Sequence, residues 1–319
     1  MLRLLPLVLL GLFSAVTAAE TENTRPRAPQ SQTVIPEPTL ADQRYGDHER
    51  HVLDFWKADS SAPAPLVFVI HGGGWQGGDK NRVGRFVDVQ QLLDHGISVA
   101  AINYRFVKHA VEAQAEPPVR IPLHDAAHAL QYLRSRAQEL NINPDLVGAA
   151  GGSAGACSSL WLAYHDDLAE PDAEDPIRRQ STRLYCAAVI GAQTTLDPQQ
   201  MQEWTPNSRY GGHAFGLQGF SEFLAARDRI QPWIAEYSPW HLVSSEDPPV
   251  YLSYSAVPAP GKVQKDPTHT ANFGVLLQER CRQQKVSCEL AYPGAPDGMH
   301  ASPTDFLIAT LKQKRSADR

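Results

Sequence analysis

The sequence predicts an α/β fold: a mostly parallel central sheet with helices on both faces, plus a helical lid insertion. Three observations carry this. Short, continuous apolar runs recur at 66–70, 97–102, 146–150, 185–190, 249–254 and 288–292. Helical patterns separate them, at about 85–94, 124–140, 155–165, 270–284 and 303–314. Strands that read as unbroken apolar runs, not as alternation, are buried on both faces, as in a parallel sheet covered by helices.

Taken in order, residues 1–19 read as a secretory signal. Arg3 supplies a thin positive start, 4–13 an apolar core, and Ala15-Val16-Thr17-Ala18-Ala19 small residues for cleavage. That core is too short to span a membrane, and no cysteine follows for a lipid anchor. Residues 20–39 are polar and proline-containing, a disordered linker. The rest, 40–319, is long enough for one domain with a well-buried core. Segment 45–56 predicts a hairpin leading in, antiparallel, with its turn near Gly46-Asp47. In the helix at 124–140, Ala127, Leu130, Leu133 and Leu140 recur at helical spacing. Residues 192–245 break the alternation. They hold Trp204, Trp233, Trp240, Tyr210, Phe215, Phe220 and Phe223, read as a helical lid or pocket wall, or as aromatics that simply pack the insertion onto the sheet.

The formal net charge is −6, and no basic stripe suggests nucleic acid; Lys312, Lys314 and Arg315 read as a solvated helix end. An exported protein, secreted or periplasmic, permits disulfides. Cys281 and Cys288 are placed for a short-loop bridge, whereas Cys157 and Cys186 read as buried and free. No C-x-x-C pair points to zinc or redox chemistry.

Two motifs carry chemistry. Gly151-Gly152-Ser153-Ala154-Gly155 follows one apolar run and precedes a helix, the setting in which a sharp turn lifts a serine hydroxyl clear of a sheet. The positive end of the following helix favours an anion at that spot. His71-Gly72-Gly73-Gly74-Trp75 directly follows another strand. Acyl transfer puts negative charge on a former carbonyl oxygen, and a glycine run can turn its amides toward it. The amides of Gly73, Gly74 and Ala154 are the expected oxyanion hole. Neither dinucleotide nor phosphate-loop spacing is met.

With these two motifs the chain resembles the α/β-hydrolase fold, and within it the hormone-sensitive-lipase-like and acetyl-xylan/feruloyl esterase-like branch. Asn103-Tyr104-Arg105, Asp125 with its helix, Ser238-Pro239-Trp240 and Asp247-Pro248-Pro249 resemble it too. The resemblance, over about 45–315, implies a serine nucleophile, then an acid, then a histidine. Ser153 is the expected nucleophile. His300, the last histidine and beyond the last strand, is the expected general base. Relatives carry the acid in a Gly-x-x-Asp turn after the strand at 249–254; a longer loop replaces that turn here. Asp266, which leads into a helix, is the chosen acid, with Asp297 and Asp247 as competitors. His269, three residues on, either lines the pocket or caps the helix.

Other features read as structural. His48 and His51 lack the spacing of a zinc motif, and His124 with His128 lacks a third ligand. Trp75 and Asp79-Lys80 either shape the acyl pocket or brace the glycine loop, with bracing the favoured reading. The expected function is a secreted serine esterase acting on small-molecule or polysaccharide esters, such as acetyl or feruloyl groups, without metal or organic cofactor. A general short-chain carboxylesterase is the close alternative. A non-catalytic binding protein on the same scaffold and a serine peptidase are the others. A peptidase of the prolyl-oligopeptidase type is disfavoured because these residues offer no counterpart of its propeller.

Overall fold

A computed structural model describes residues 35–295 and 298–313. The expected leader (1–19) and most of the expected linker (20–39) lie outside the described residues. In chain order the strands are β1 (Leu40–Arg44), β2 (Val52–Trp56), β3 (Ala64–Ile70), β4 (Ser98–Ile102), β5 (Ile142–Gly152), β6 (Cys186–Ile190), β7 (Val250–Ser253) and β8 (Cys288–Ala291). They form one sheet in the order β1-β2-β4-β3-β5-β6-β7-β8. Strands β3 to β8 run parallel; β1 and β2 form an antiparallel hairpin at the edge.

The helices are α1 (Val89–Asp94), α2 (Val107–Glu112), α3 (Arg120–Ser135), α4 (Ala137–Leu140), α5 (Ala154–Tyr164), α6 (Pro198–Trp204), α7 (Gly219–Ala225), α8 (Gln231–Tyr237), α9 (Pro239–Leu242), α10 (Asn272–Gln284) and α11 (Pro303–Lys312). A 3₁₀ turn spans Lys80–Arg85. No helix among the described residues is long and apolar enough to cross a membrane.

The continuous apolar strands find partners on both faces. Leu66, Phe68 and Ile70 of β3 pack with Leu123, Ala126 and Leu130 of α3 and Leu160 of α5. The intervening Val67 and Val69 face the other way, toward Val89 and Leu92 of α1 and Leu307 and Leu311 of α11. Two buried faces per strand leave no room for polar alternation.

Three local expectations shift. The hairpin's first arm lies at 40–44, upstream of the expected turn near Gly46-Asp47. As an edge strand it is exposed at three of its five residues, so it carries no apolar signal. The helix expected at 85–94 is a 3₁₀ turn followed by α1, because Asp88 caps α1 by accepting from the Gln91 amide at 3.0 Å. The insertion at 192–245 is a set of short helices, α6 to α9. Its Trp204, Phe215 and Phe223 are buried in the core, so its aromatics mostly pack it onto the body of the protein.

Candidate active site

Ser153 sits at the turn between β5 and α5 with φ 54° and ψ −122°. A non-glycine residue there costs on the order of 1–3 kcal/mol, and packing must hold it. Its amide donates to the Ile190 carbonyl at 2.9 Å, and its own carbonyl accepts from the Cys157 amide at 2.9 Å. The flanking glycines are required by approach. A Cβ on Gly155 would stand 2.1 Å from the Ile70 carbonyl oxygen, and one on Gly72 would stand 2.5 Å from that of Gly152. The turn therefore clamps the end of β5 against the glycine loop after β3.

That loop is braced from several sides. His71 is buried, and burial pulls its pKa down to about 4, so its ring is neutral. Its Nδ1 donates to the Gly72 carbonyl at 2.8 Å, and its Nε2 faces the Arg50 guanidinium at 3.3 Å. Its ring stacks on Tyr104, with centroids 4.3 Å apart. Trp75 is wholly buried and donates from Nε1 to Ser158 Oγ of α5 at 3.0 Å. Asp79 and Lys80 engage Asn103 and Asp54. The bracing roles expected of Trp75, Asp79 and Lys80 are what these contacts describe.

The loop's hydrogen bonds orient its amides. The Gly72 carbonyl is turned to the His71 ring, so in the trans peptide the Gly73 N–H points the opposite way. The Gly73 carbonyl accepts from Gln76 and Gly77, which directs the Gly74 N–H out of that turn. Ala154 opens α5, so its N–H is a first-turn donor without a partner inside the helix. Of the three expected donors, Gly73 lines the cavity at Ser153, Gly74 follows Gly73 and Ala154 follows Ser153 in the chain. The Gly74 carbonyl is held by His213 Nε2 of the insertion at 2.9 Å.

The imidazole at Ser153 is that of His269, not of His300. Ser153 Oγ lies 2.9 Å from His269 Nε2, and His269 Nδ1 lies 2.8 Å from Asp266 Oδ2. Both residues stand on the loop between β7 and α10, in the run Asp266-Pro267-Thr268-His269. Asp266 Oδ1 accepts from the amides of Thr268 and His269 at 3.0 and 3.2 Å, folding the carboxylate and the imidazole into one turn. Partial burial pulls the Asp266 carboxyl upward, but the His269 ring and these amides outweigh it, and its pKa falls below the ordinary carboxylate value. Gln193 fixes the turn by donating to the Thr268 carbonyl at 2.7 Å. Gly191, with φ 59°, leaves the space against which the His269 ring lies.

His300 is corrected on physical grounds. Its amide and Nδ1 both bond the buried Glu289 carboxylate of β8, each at 2.7 Å. That carboxylate needs donors in its buried position, and the loop after β8 supplies them with His300. His300 is absent from the lining of the Ser153 cavity. Of the competing acids, Asp247 lies just ahead of β7, at the opposite end of the strands from Ser153, and accepts from the Ser244 amide; Asp297 lies outside the described residues. The signal for His269 was its spacing from Asp266 in a loop that had already departed from the relatives' pattern.

The cavity at Ser153 measures about 380 Å³ and is lined by Gly73, Phe86, Ile190, Tyr254, Asp266 and His269, among others. Its aromatic rings come from Phe86 and Tyr254, not from the insertion. The other singled-out residues are structural. His51 Nε2 and the Arg105 guanidinium surround the buried Asp125 carboxylate. His124 packs on Trp161. No group of three metal-ligating side chains occurs among the described residues. Cys157, Cys186, Cys281 and Cys288 are all free thiols, so the bridge that the placement of Cys281 and Cys288 allowed is not formed.

A parallel sheet covered on both faces, with a strained serine between β5 and α5 backed by an imidazole and a carboxylate, defines an α/β-hydrolase fold. Residues 53–256 match the BD-FAE family, and the chain belongs to it. It is similar to the esterase LipQ of Mycobacterium tuberculosis, 24% identical over 294 residues covering 87% of this chain and 60% of that protein. It is similar also to the probable carboxylic ester hydrolase LipM of the same organism, 32% identical over 152 residues covering 46% of this chain and 32% of that one. The chain thus spans less than two thirds of the length of these relatives. An acetyl ester-xyloside bifunctional hydrolase from Caldicellulosiruptor lactoaceticus shares the fold with a TM-score of 0.59 at 21% identity, covering 81% of this chain and 86% of that one. A truncated carbohydrate esterase from gut microbiota does so with a TM-score of 0.61 at 16% identity, covering 83% and 90%.

Proposed function

We propose that this protein is a serine carboxylic-ester hydrolase acting on acyl esters of carbohydrates, with short-chain carboxylesters as the alternative substrate class. The observation that carries this reading is the continuous relay Ser153 Oγ–His269 Nε2 at 2.9 Å and His269 Nδ1–Asp266 at 2.8 Å. Ser153 attacks the ester carbonyl carbon while its proton passes to His269 Nε2. Asp266 holds the Nδ1 proton, sets the tautomer and stabilises the imidazolium. The amides of Gly73, Gly74 and Ala154 receive the oxyanion. Each such donor is worth roughly 3 kcal/mol in the transition state. The imidazolium then protonates the departing alcohol. Water, deprotonated by the same ring, releases the acid and restores Ser153.

The family and the esterase relatives support the reaction class. The carbohydrate esterases among the fold neighbours support the substrate class. A cavity of about 380 Å³ suits a small acyl group. Export is part of the proposal and rests on the residue pattern of 1–19; N-terminal sequencing of protein from the culture medium or periplasm tests it, and an intact leader on the mature protein would refute it.

Turnover of 4-nitrophenyl acetate and labelling by a fluorophosphonate probe test the chemistry. Wild type is expected to do both, and Ser153→Ala neither, with unchanged circular dichroism. Retained turnover in that variant would overturn the mechanism. A wild type that neither turns over esters nor reacts with the probe would be a binding protein instead.

A further inference from the structure

The wall of the Ser153 cavity carries an unspent charge. Arg82 and Arg85, on the 3₁₀ turn after β3, both line it and are both exposed. Among the described residues neither guanidinium has an ion pair, a hydrogen bond or an aromatic face beneath it. Their neighbours are treated differently. Arg50, Arg105 and Lys80, around the same glycine loop, are each taken up by carbonyls or carboxylates. The cavity's lining carboxylate, Asp266, is committed to His269 and to two backbone amides. Asp79, which caps the turn, is engaged by Asn81 and Asn103. In a chain of net charge −6, a pair of unneutralised arginines thus faces the reacting serine.

We propose that Arg82 and Arg85 read an anion on the substrate, so that the ester cleaved at Ser153 carries a carboxylate. This rests on the esterase reading above. Guanidinium groups present paired donors matched to a carboxylate's two oxygens. The carboxylate belongs either to the acyl part, as in a half-ester of a dicarboxylic acid, or to the alcohol part, as in an acylated uronic acid. In both cases the arginines hold the substrate beside the apolar wall of Phe86 and Ile190 while the ester carbonyl faces the amides of the glycine loop.

The test uses the full-length protein and matched ester pairs. For the acyl side, mono-4-nitrophenyl adipate is compared with its neutral methyl ester. For the alcohol side, acetate release from an O-acetylated methyl glucuronide is compared with that from the corresponding methyl glucoside. The ratio of kcat/KM, anionic over neutral, is expected to reach roughly five- to tenfold in wild type for one pair, the size of an exposed charge-assisted contact. It should shrink in 1 M NaCl. It should fall to near one in the double variant Arg82→Gln/Arg85→Gln, persist in part in Arg85→Lys, and invert in Arg82→Glu/Arg85→Glu. Thermal unfolding checks that these variants fold.

Whichever pair shows the preference identifies the side that bears the anion. A ratio near one for both pairs in wild type, or a preference untouched by the double variant, overturns the proposal while leaving the esterase reading standing. Absence of any Ser153-dependent turnover on all four esters overturns both.

Discussion

At the scale of single residues, the two histidines make opposite predictions. His269→Asn removes the proposed base, and kcat/KM on 4-nitrophenyl acetate is expected to fall by about 10³- to 10⁴-fold. His300→Asn loses only the Nδ1 donation to the buried Glu289 carboxylate on β8, so activity is expected within a few-fold of wild type while the melting temperature drops. Equal losses in the two variants would return His300 to the reaction. Asp266→Asn should cost about 10²- to 10⁴-fold in kcat without loss of fold, because the amide cannot hold the imidazolium. Gly155→Ala belongs to stability. Its new methyl would meet the Ile70 carbonyl oxygen at 2.1 Å, a backbone atom that cannot swing away. A loss above about 4 kcal/mol, or no soluble protein, is expected in denaturant titration. Ser153 and the two glycine motifs were legible because their meaning is local. His269 was not, because a histidine's role depends on what lies across the cavity.

At the scale of elements, the loop between β7 and α10 owes its position to the insertion. Asn272 at the start of α10 is fully buried and donates to the Trp204 carbonyl at 2.8 Å and to Thr205 Oγ1 at 3.0 Å, while its oxygen accepts from the Ala259 amide at 2.7 Å. Asn207 makes a reciprocal pair with the Gln264 backbone, at 2.9 and 3.0 Å. The insertion thus acts as a buttress for the segment that carries Asp266 and His269, and through His213 for the glycine loop. Asn207→Ala is expected to lower kcat by roughly tenfold with a small change in stability, since the lost contacts orient the turn that carries Asp266 and His269. A variant with wild-type kcat would show that the turn needs no such support. The central strands and the helices flanking them were legible from apolar periodicity. The buttress was not, since side-chain amides binding distant backbone leave no periodic trace.

At the scale of the whole molecule, buried titratable groups set an acid limit. Burial holds His71 and His124 down at about 4, so both stay neutral in the fold, whereas an unfolded histidine takes its proton near pH 6.5. Between those values the unfolded chain binds more protons, so stability rises with pH across this window and is lost on acidification. His71 alone accounts for up to about 3 kcal/mol. Asp247 opposes this. Burial raises it to about 6, so its ionisation weakens the fold as pH rises from about 4 to 6. It is only half-buried, and solvent screening limits its share to about 1 kcal/mol. Urea midpoints are therefore expected to be lower at pH 4.5 than at pH 7. His124→Gln should flatten the difference and Asp247→Asn should widen it; a midpoint independent of pH would contradict the sign.

The residues alone determined the alternation of strand and helix, the sharp serine turn and the glycine run after β3. Each is set within a few residues by periodicity, steric demand and backbone freedom. The tertiary structure decided which imidazole meets the serine. Buried Glu289 draws the loop after β8, with His300, onto the edge strand, while Gln193, Asn207 and Asn272 hold the loop after β7 over the cavity. The pairings of Gln193, Asn207 and Asn272 join groups far apart in the chain, and the outcome depends on which buried carboxylate or carbonyl most needs a donor once the sheet has formed.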